Sequence, residues 1–109
     1  MLLRQEQVEH QIDAAGIINC TGPDNDIRRI DQHLIQQLRA DELICEDPLH
    51  IGILTQSDYQ TIDRQGQVNG GLYYIGPMLK ASYWEAIAVP ELRVHTACLA
   101  KIIAANLSA

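Results

Sequence analysis

"GGLYYIGPMLKASYWEAIAVPE", residues 70–91, holds the junction on which the fold turns. A glycine pair, Gly70 and Gly71, leads into an apolar run from Leu72 to Ile75 with high β propensity. Gly76 and Pro77 stop that run, and the only tryptophan, Trp84, stands beside Glu85 before Pro90 opens the next segment. Proline is tolerated in the first helical turn, so "ELRVHTACLAKIIAANL" reads as a helix of about four turns. Its stretch from Ala97 to Ala105 is apolar nearly all round apart from Lys101, the pattern of a helix covered on most sides.

The upstream half repeats the arrangement. In "DAAGIINCTGP" a short apolar run from Ala14 to Ile18 ends at Thr21, Gly22 and Pro23, as expected of a buried strand entering a tight turn, with an edge strand before it around Leu2 to Val8. Ile27, Ile30, Leu34 and Leu38 recur at spacings of three and four, which predicts a helix opened by Asp24 or Asp26 and ending near Ala40. A strand-like run follows from Ile51 to Thr55, and "YQTIDRQGQVNGG" carries turn residues. Two strands thus end in a Gly-Pro turn with a helix beyond, and such junctions present backbone N–H groups suited to an anion or a polar cofactor edge. Strand-turn-helix units are common in α/β proteins, so the turns alone carry a structural reading.

At 109 residues with 47% hydrophobic side chains, the chain has the size of a single domain, 1–109, with a modest core. Its formal charge of -6 repels phosphate backbones, so nucleic acid is not an expected partner. No segment approaches a membrane span, and "MLLRQEQVEH" is too short an apolar run for a signal peptide. Cys20, Cys45 and Cys98 are odd in number and far apart, which fits a reducing cytoplasm and neither a disulfide framework nor a zinc site. Cys20, with no adjacent His or Arg, reads as a buried structural thiol and Cys98 as core. His10, His33, His50 and His95 share no metal-ligand spacing. Glu91 and His95, four apart on the last helix, read as a solvated surface pair. Asn19-Cys20-Thr21 fits the glycosylation sequon, without meaning in a cytoplasmic protein.

"IINCTGP", followed some fifty residues on by "GLYYIGPMLKASYWEAIAVPELRVHTACLA", resembles the C-terminal end of the uncharacterised bacterial FAD/NAD(P)-binding oxidoreductase-like proteins, of the two-dinucleotide-binding flavoprotein type. The likeness is strongest over residues 15–23 and 70–100. It implies an α/β fold, a small sheet with two main helices like the C-terminal part of a Rossmann-like FAD-binding domain. In such proteins Thr21, Gly22 and Pro23 would pass close to FAD, and Gly76 and Pro77 would lie under its ribityl-flavin part. Trp84 and Glu85 would sit near the flavin, while Pro90, Glu91 and Leu92 would aim a helix N-terminus at the isoalloxazine edge. Trp84 reads equally well as an anchor holding its loop to the core.

Two departures qualify the likeness. Pro77 stands where an acidic residue usually holds the ribityl hydroxyls, and a proline side chain has no atom to accept that bond. None of the seven glycines has the G-x-G-x-x-G spacing that lets a backbone approach a pyrophosphate. The resemblance therefore implies the closing third of a flavoprotein that would use FAD and possibly NAD(P), lacks its N-terminal dinucleotide-binding half, and is inactive and cofactor-free by itself. The alternative is a non-catalytic module, or a remnant of that fold, that self-associates. With the strands uncovered, a homodimer is expected through the C-terminal helix or the strand at Leu72 to Ile75.

Overall fold

The middle of the chain is organised by tight turns whose aspartates satisfy the backbone. Asp63 accepts the N–H groups of Gln65 and Gln67 at 2.9 and 2.7 Å and closes a hairpin loop around Gly66, whose φ of 79° suits glycine. The loop joins β3 (Gln60–Ile62) to β4 (Val68–Tyr73), an antiparallel pair with Gln60 opposite Tyr73 and Ile62 opposite Val68. β4 spends more residues than β3 between those two positions, so a bulge runs through Asn69, Gly70, Gly71 and Leu72. Gly70 and Gly71 therefore lie within the strand, where the sequence suggested that they precede it.

The computed structural model describes residues 2–5 and 8–109, with side chains from Gln11 onward. Over these the protein is a small α/β fold: an antiparallel pair β1 (Leu2–Gln5) and β2 (Val8–Gln11), α1 (His33–Ala40), the β3–β4 hairpin, a single 3-10 turn at Pro77–Leu79 and α2 (Val89–Ser108). The edge strand expected over Leu2 to Val8 is thus two strands; residues 6 and 7 lie outside the described residues. The radius of gyration is 18.1 Å, against about 13 Å for a compact chain of this length.

Several expectations are corrected. The run from Ala14 to Ile18 is exposed coil: among the described residues no strand pairs with it, and Ile18 is 89% exposed. A strand without a ladder leaves its backbone to water. The first helix does not begin near Ile27. Asp26 accepts the Arg28 N–H at 3.0 Å, and its own carbonyl accepts from Arg29 at 2.9 Å, so the chain closes a turn there and becomes helical only at His33. The helix ends at Ala40 as expected. Its inward stripe is the partly buried Ile35 and Leu38, while Leu34 is 67% exposed. Residues 51–55 form no continuous strand, only bridges from Ile53 to Glu46 and from Thr55 to Thr61.

Packing is divided between two small clusters. Ile27, Ile44 and Ile53 form the first, flanked by Ile35, Leu38 and Met78; Tyr59, Leu79 and Ala86 form the second, flanked by Tyr83, Leu99 and Ile102. Tyr74 borders both. The segments are drawn together at Met78, whose carbonyl accepts the Ile53 N–H at 2.9 Å; a Cβ on Gly52 would come within 2.0 Å of that same oxygen. Only glycine permits the approach.

α2 is longer than read, at 20 residues, and none of them is buried. The expected cover is absent among the described residues: Leu99 and Ile102 pack on the second cluster, while Val94, Ala97, Cys98 and Leu107 are exposed. Cys98 is therefore a surface residue rather than core, and Cys20 is likewise exposed rather than buried.

Candidate functional site

The chain leaves β4 through Tyr74 and Ile75 and reverses at Gly76, whose φ of 147° is foreign to L side chains. An added Cβ there would meet the Tyr74 hydroxyl at 2.7 Å, so a glycine is required by backbone and by space alike. Pro77 then begins the 3-10 turn, its fixed φ suiting a first helical position, and the Gly76 carbonyl accepts the Leu79 N–H at 3.1 Å. From Lys80 the loop returns by successive turns, with Tyr83 and Ala86 donating to the carbonyls of Leu79 and Tyr83. Glu85 then accepts from Ala88, and α2 begins. Leu79 and Ala86 are the buried anchors of this loop. Trp84 is not one: it is 68% exposed, with the Lys80 ammonium 4.6 Å from its ring centre.

The start of α2 has no side-chain cap. Ala88 is the N-cap residue and accepts the Leu92 N–H at 3.0 Å, Pro90 occupies the first turn, and Glu91 is the acidic residue in that turn. Glu91 Oε2 is buried and has no hydrogen-bond partner among the described residues. One turn on, His95 does not pair with Glu91 as the spacing suggested. Its Nδ1 lies 2.8 Å from the Tyr59 hydroxyl, and its ring stands edge-on to Tyr59 and Tyr83 at centroid distances of 5.5 and 4.6 Å. Burial holds the Tyr59 phenol above its usual pKa, and it does the same at Tyr74.

One body thus gathers Gly76, Pro77, Trp84, Glu85, Pro90, Glu91 and Leu92, all on or beside the 77–88 loop and the α2 N-terminus. Thr21, Gly22 and Pro23 belong to the exposed coil before α1. These three are exposed, and the hydrogen bonds here are local: Asn19 Oδ1 accepts from the Thr21 N–H and hydroxyl at 3.0 and 2.7 Å. Tyr59, Tyr83 and the placement of His95 escaped the sequence reading. The one available signal was Tyr59 following Ser57 and Asp58 in a turn, where its φ of 70° sends an aromatic ring inward from a position that glycine or asparagine normally takes.

The described residues carry no G-x-G-x-x-G spacing, and the Pro77 side chain has no hydrogen-bond acceptor. What they do offer is a rigid strand end and an uncapped helix start with an exposed aromatic between. Among the described residues no group of three or more His, Cys, Asp or Glu side chains is placed to hold a metal ion. Among the described residues no helix is long and apolar enough to cross a membrane.

Compared with protein-family models, curated proteins and solved structures, the chain matches none.

Proposed function

We propose that this chain supplies the flavin-facing strand ends and closing helix of a FAD/NAD(P)-dependent, oxidoreductase-like cytoplasmic flavoprotein of Rossmann-like type, and that it is not catalytic by itself. The observation that carries the reading is the Gly76–Pro77 turn: a strand end locked by backbone and by Tyr74, connected through an anchored loop to a helix start without a side-chain cap. A helix N-terminus favours negative charge developing on a nearby ring, and Trp84 stands exposed between turn and helix. The exposed Ala14–Ile18 run and the bare outer face of α2 are consistent with surfaces that other residues of such a protein would cover.

The pyrophosphate contacts that anchor a dinucleotide would come from residues outside these 109. The chain alone is therefore expected to purify colourless and to bind FAD no more tightly than about millimolar, the regime of some 4 kcal/mol. Flavin fluorescence quenching measures this directly. A yellow preparation, or micromolar affinity, would make the segment a flavin-binding domain in its own right and overturn the proposal as stated.

A second reading, a self-associating module, is favoured by one feature: Trp84, Ile87, Val89 and Val94 are all exposed at the loop and the start of α2. Light scattering across micromolar concentrations tests it. A dimer that Val94→Asp dissociates supports this reading, and a monomer at every concentration rejects it.

A further inference from the structure

We propose that Asn69 is a site of spontaneous backbone-assisted deamidation, so that the protein acquires an aspartate or isoaspartate within β4 as it ages. The reaction needs the backbone nitrogen of the following residue to reach the asparagine side-chain carbon, and a side chain on that residue obstructs the approach. Residue 70 is glycine, and a Cβ built on Gly70 or on Gly71 would meet nothing within 4 Å. Both glycines are exposed and lie in the bulged part of β4, between the ladder positions at Val68 and Tyr73. A regular ladder would hold the backbone extended; a bulge relaxes that restraint, and two glycines add conformational freedom.

The chemistry balances without a co-reactant other than water. The Gly70 nitrogen forms a bond to Asn69 Cγ, its proton goes to the departing amide, and ammonia leaves a five-membered succinimide. Water then opens the ring at either carbonyl. Opening at one gives aspartate; opening at the other passes the main chain through the side-chain carboxyl carbon and gives isoaspartate, which lengthens the backbone by one carbon. Nothing is oxidised or reduced. Each product adds a carboxylate to a chain whose formal charge is already -6. The bulge can absorb the longer backbone, because the residues between Val68 and Tyr73 already exceed what β3 opposes.

Three other asparagines serve as internal controls, since Asn19, Asn25 and Asn106 precede Cys20, Asp26 and Leu107. The folded protein is incubated at mildly alkaline and mildly acidic pH and digested with trypsin, whose 65–80 peptide contains Asn69 alone among the asparagines. Its conversion is read by mass, and isoaspartate by methyl transfer from an isoaspartyl methyltransferase. The expected result is conversion several-fold faster at Asn69 than at any other asparagine, faster at the higher pH, and yielding methyl-accepting product. Gly70→Ala, which the open space accommodates, slows it several-fold; Asn69→Ala, which has no side-chain carbonyl to attack, gives no methyl acceptor in that peptide. Equal conversion at all four asparagines, or an unchanged rate in Gly70→Ala, overturns the proposal. So does a native rate near zero when the same chain in urea converts readily, since that would show the bulge holding Asn69 closed.

Discussion

The Tyr59 hydroxyl lies 2.8 Å from His95 Nδ1 and ties the turn before β3 to the second turn of α2. Both partners are positioned by contacts that do not depend on the bond itself: Tyr59 is 5% exposed, and Tyr83 meets the His95 ring at 4.6 Å. Tyr59→Phe therefore keeps the ring and removes only the hydroxyl, and it is expected to cost about 1 kcal/mol. Tyr59→Ala also empties the second cluster and should cost about 3–5 kcal/mol. Urea denaturation compares the two. Equal losses would show that the hydroxyl, not the ring, carries the contribution.

Gly76→Ala places a side chain on a backbone that L residues avoid and against the Tyr74 hydroxyl. We expect a loss of about 1–3 kcal/mol. Tyr74→Phe removes the nearest obstructing atom, so in the double variant part of that loss should be recovered. Simple additivity in the cycle would mean that the strain lies wholly in the backbone.

Gly52→Ala is expected to be more damaging, because the obstructing atoms at 2.0 and 2.8 Å are the Met78 carbonyl oxygen and carbon, which cannot rotate away. Relief requires breaking the Ile53–Met78 hydrogen bond, and the loss should exceed about 3 kcal/mol, the range of core disruptions. A cooperative melt within a few degrees of wild type would contradict the close approach.

Stability should fall at both ends of the pH range. The Arg28 guanidinium, paired in a fork with Asp26 at 2.6–3.1 Å, holds that carboxyl well below the usual carboxylate range. The unfolded chain then binds a proton that the folded one does not. The contribution is complete above about pH 4, the unfolded value, and is lost as pH falls. Arg28→Met should raise the acid-unfolding midpoint. At the other end, burial holds Tyr59 and Tyr74 neutral, so their contribution is present below about pH 10 and is lost as pH rises beyond it. Tyr74→Phe should flatten the alkaline limb.

Trp84→Ala should change stability by less than about 0.5 kcal/mol, since an exposed ring with one cation beside it contributes little. Leu79→Ala, two residues past Pro77 and fully buried, should cost about 2–5 kcal/mol. Thermal melts of the two variants check the contrast. A large loss at Trp84 would mean that its ring has cover which the fold described above lacks.

The sequence was most legible where local chemistry decides conformation. The Gly76–Pro77 stop, the helix opened around Pro90 and the end of α1 at Ala40 stand where turn and cap preferences place them. It was least legible where a distant partner decides. The run at Ala14 to Ile18 has the composition of a buried strand, but composition cannot supply a ladder. Periodicity placed Leu34 on the buried face of α1, but the Asp26 turn delays the helix and rotates the stripe to Ile35. In the candidate site, Tyr59 and His95 are separated by most of the β3–β4 hairpin and the loop beyond it, and no spacing rule joins them. Their partnership depends on an aromatic residue in a left-handed turn, which sequence preference argues against.

The junction at Met78 also bears on how the chain is made. Residues 46–55 leave the ribosome well before Met78, and their cross-chain partners, Thr61 and the Met78 carbonyl, are synthesised later. Until then Ile53, destined for the first cluster, remains in contact with solvent or with chaperones. The arm can be secured only after the β3–β4 hairpin closes and carries residue 78 back across it. A nascent chain held with residues 46–55 outside the ribosome and Met78 still inside it should thus be protease-sensitive through 46–55, and the released chain should resist.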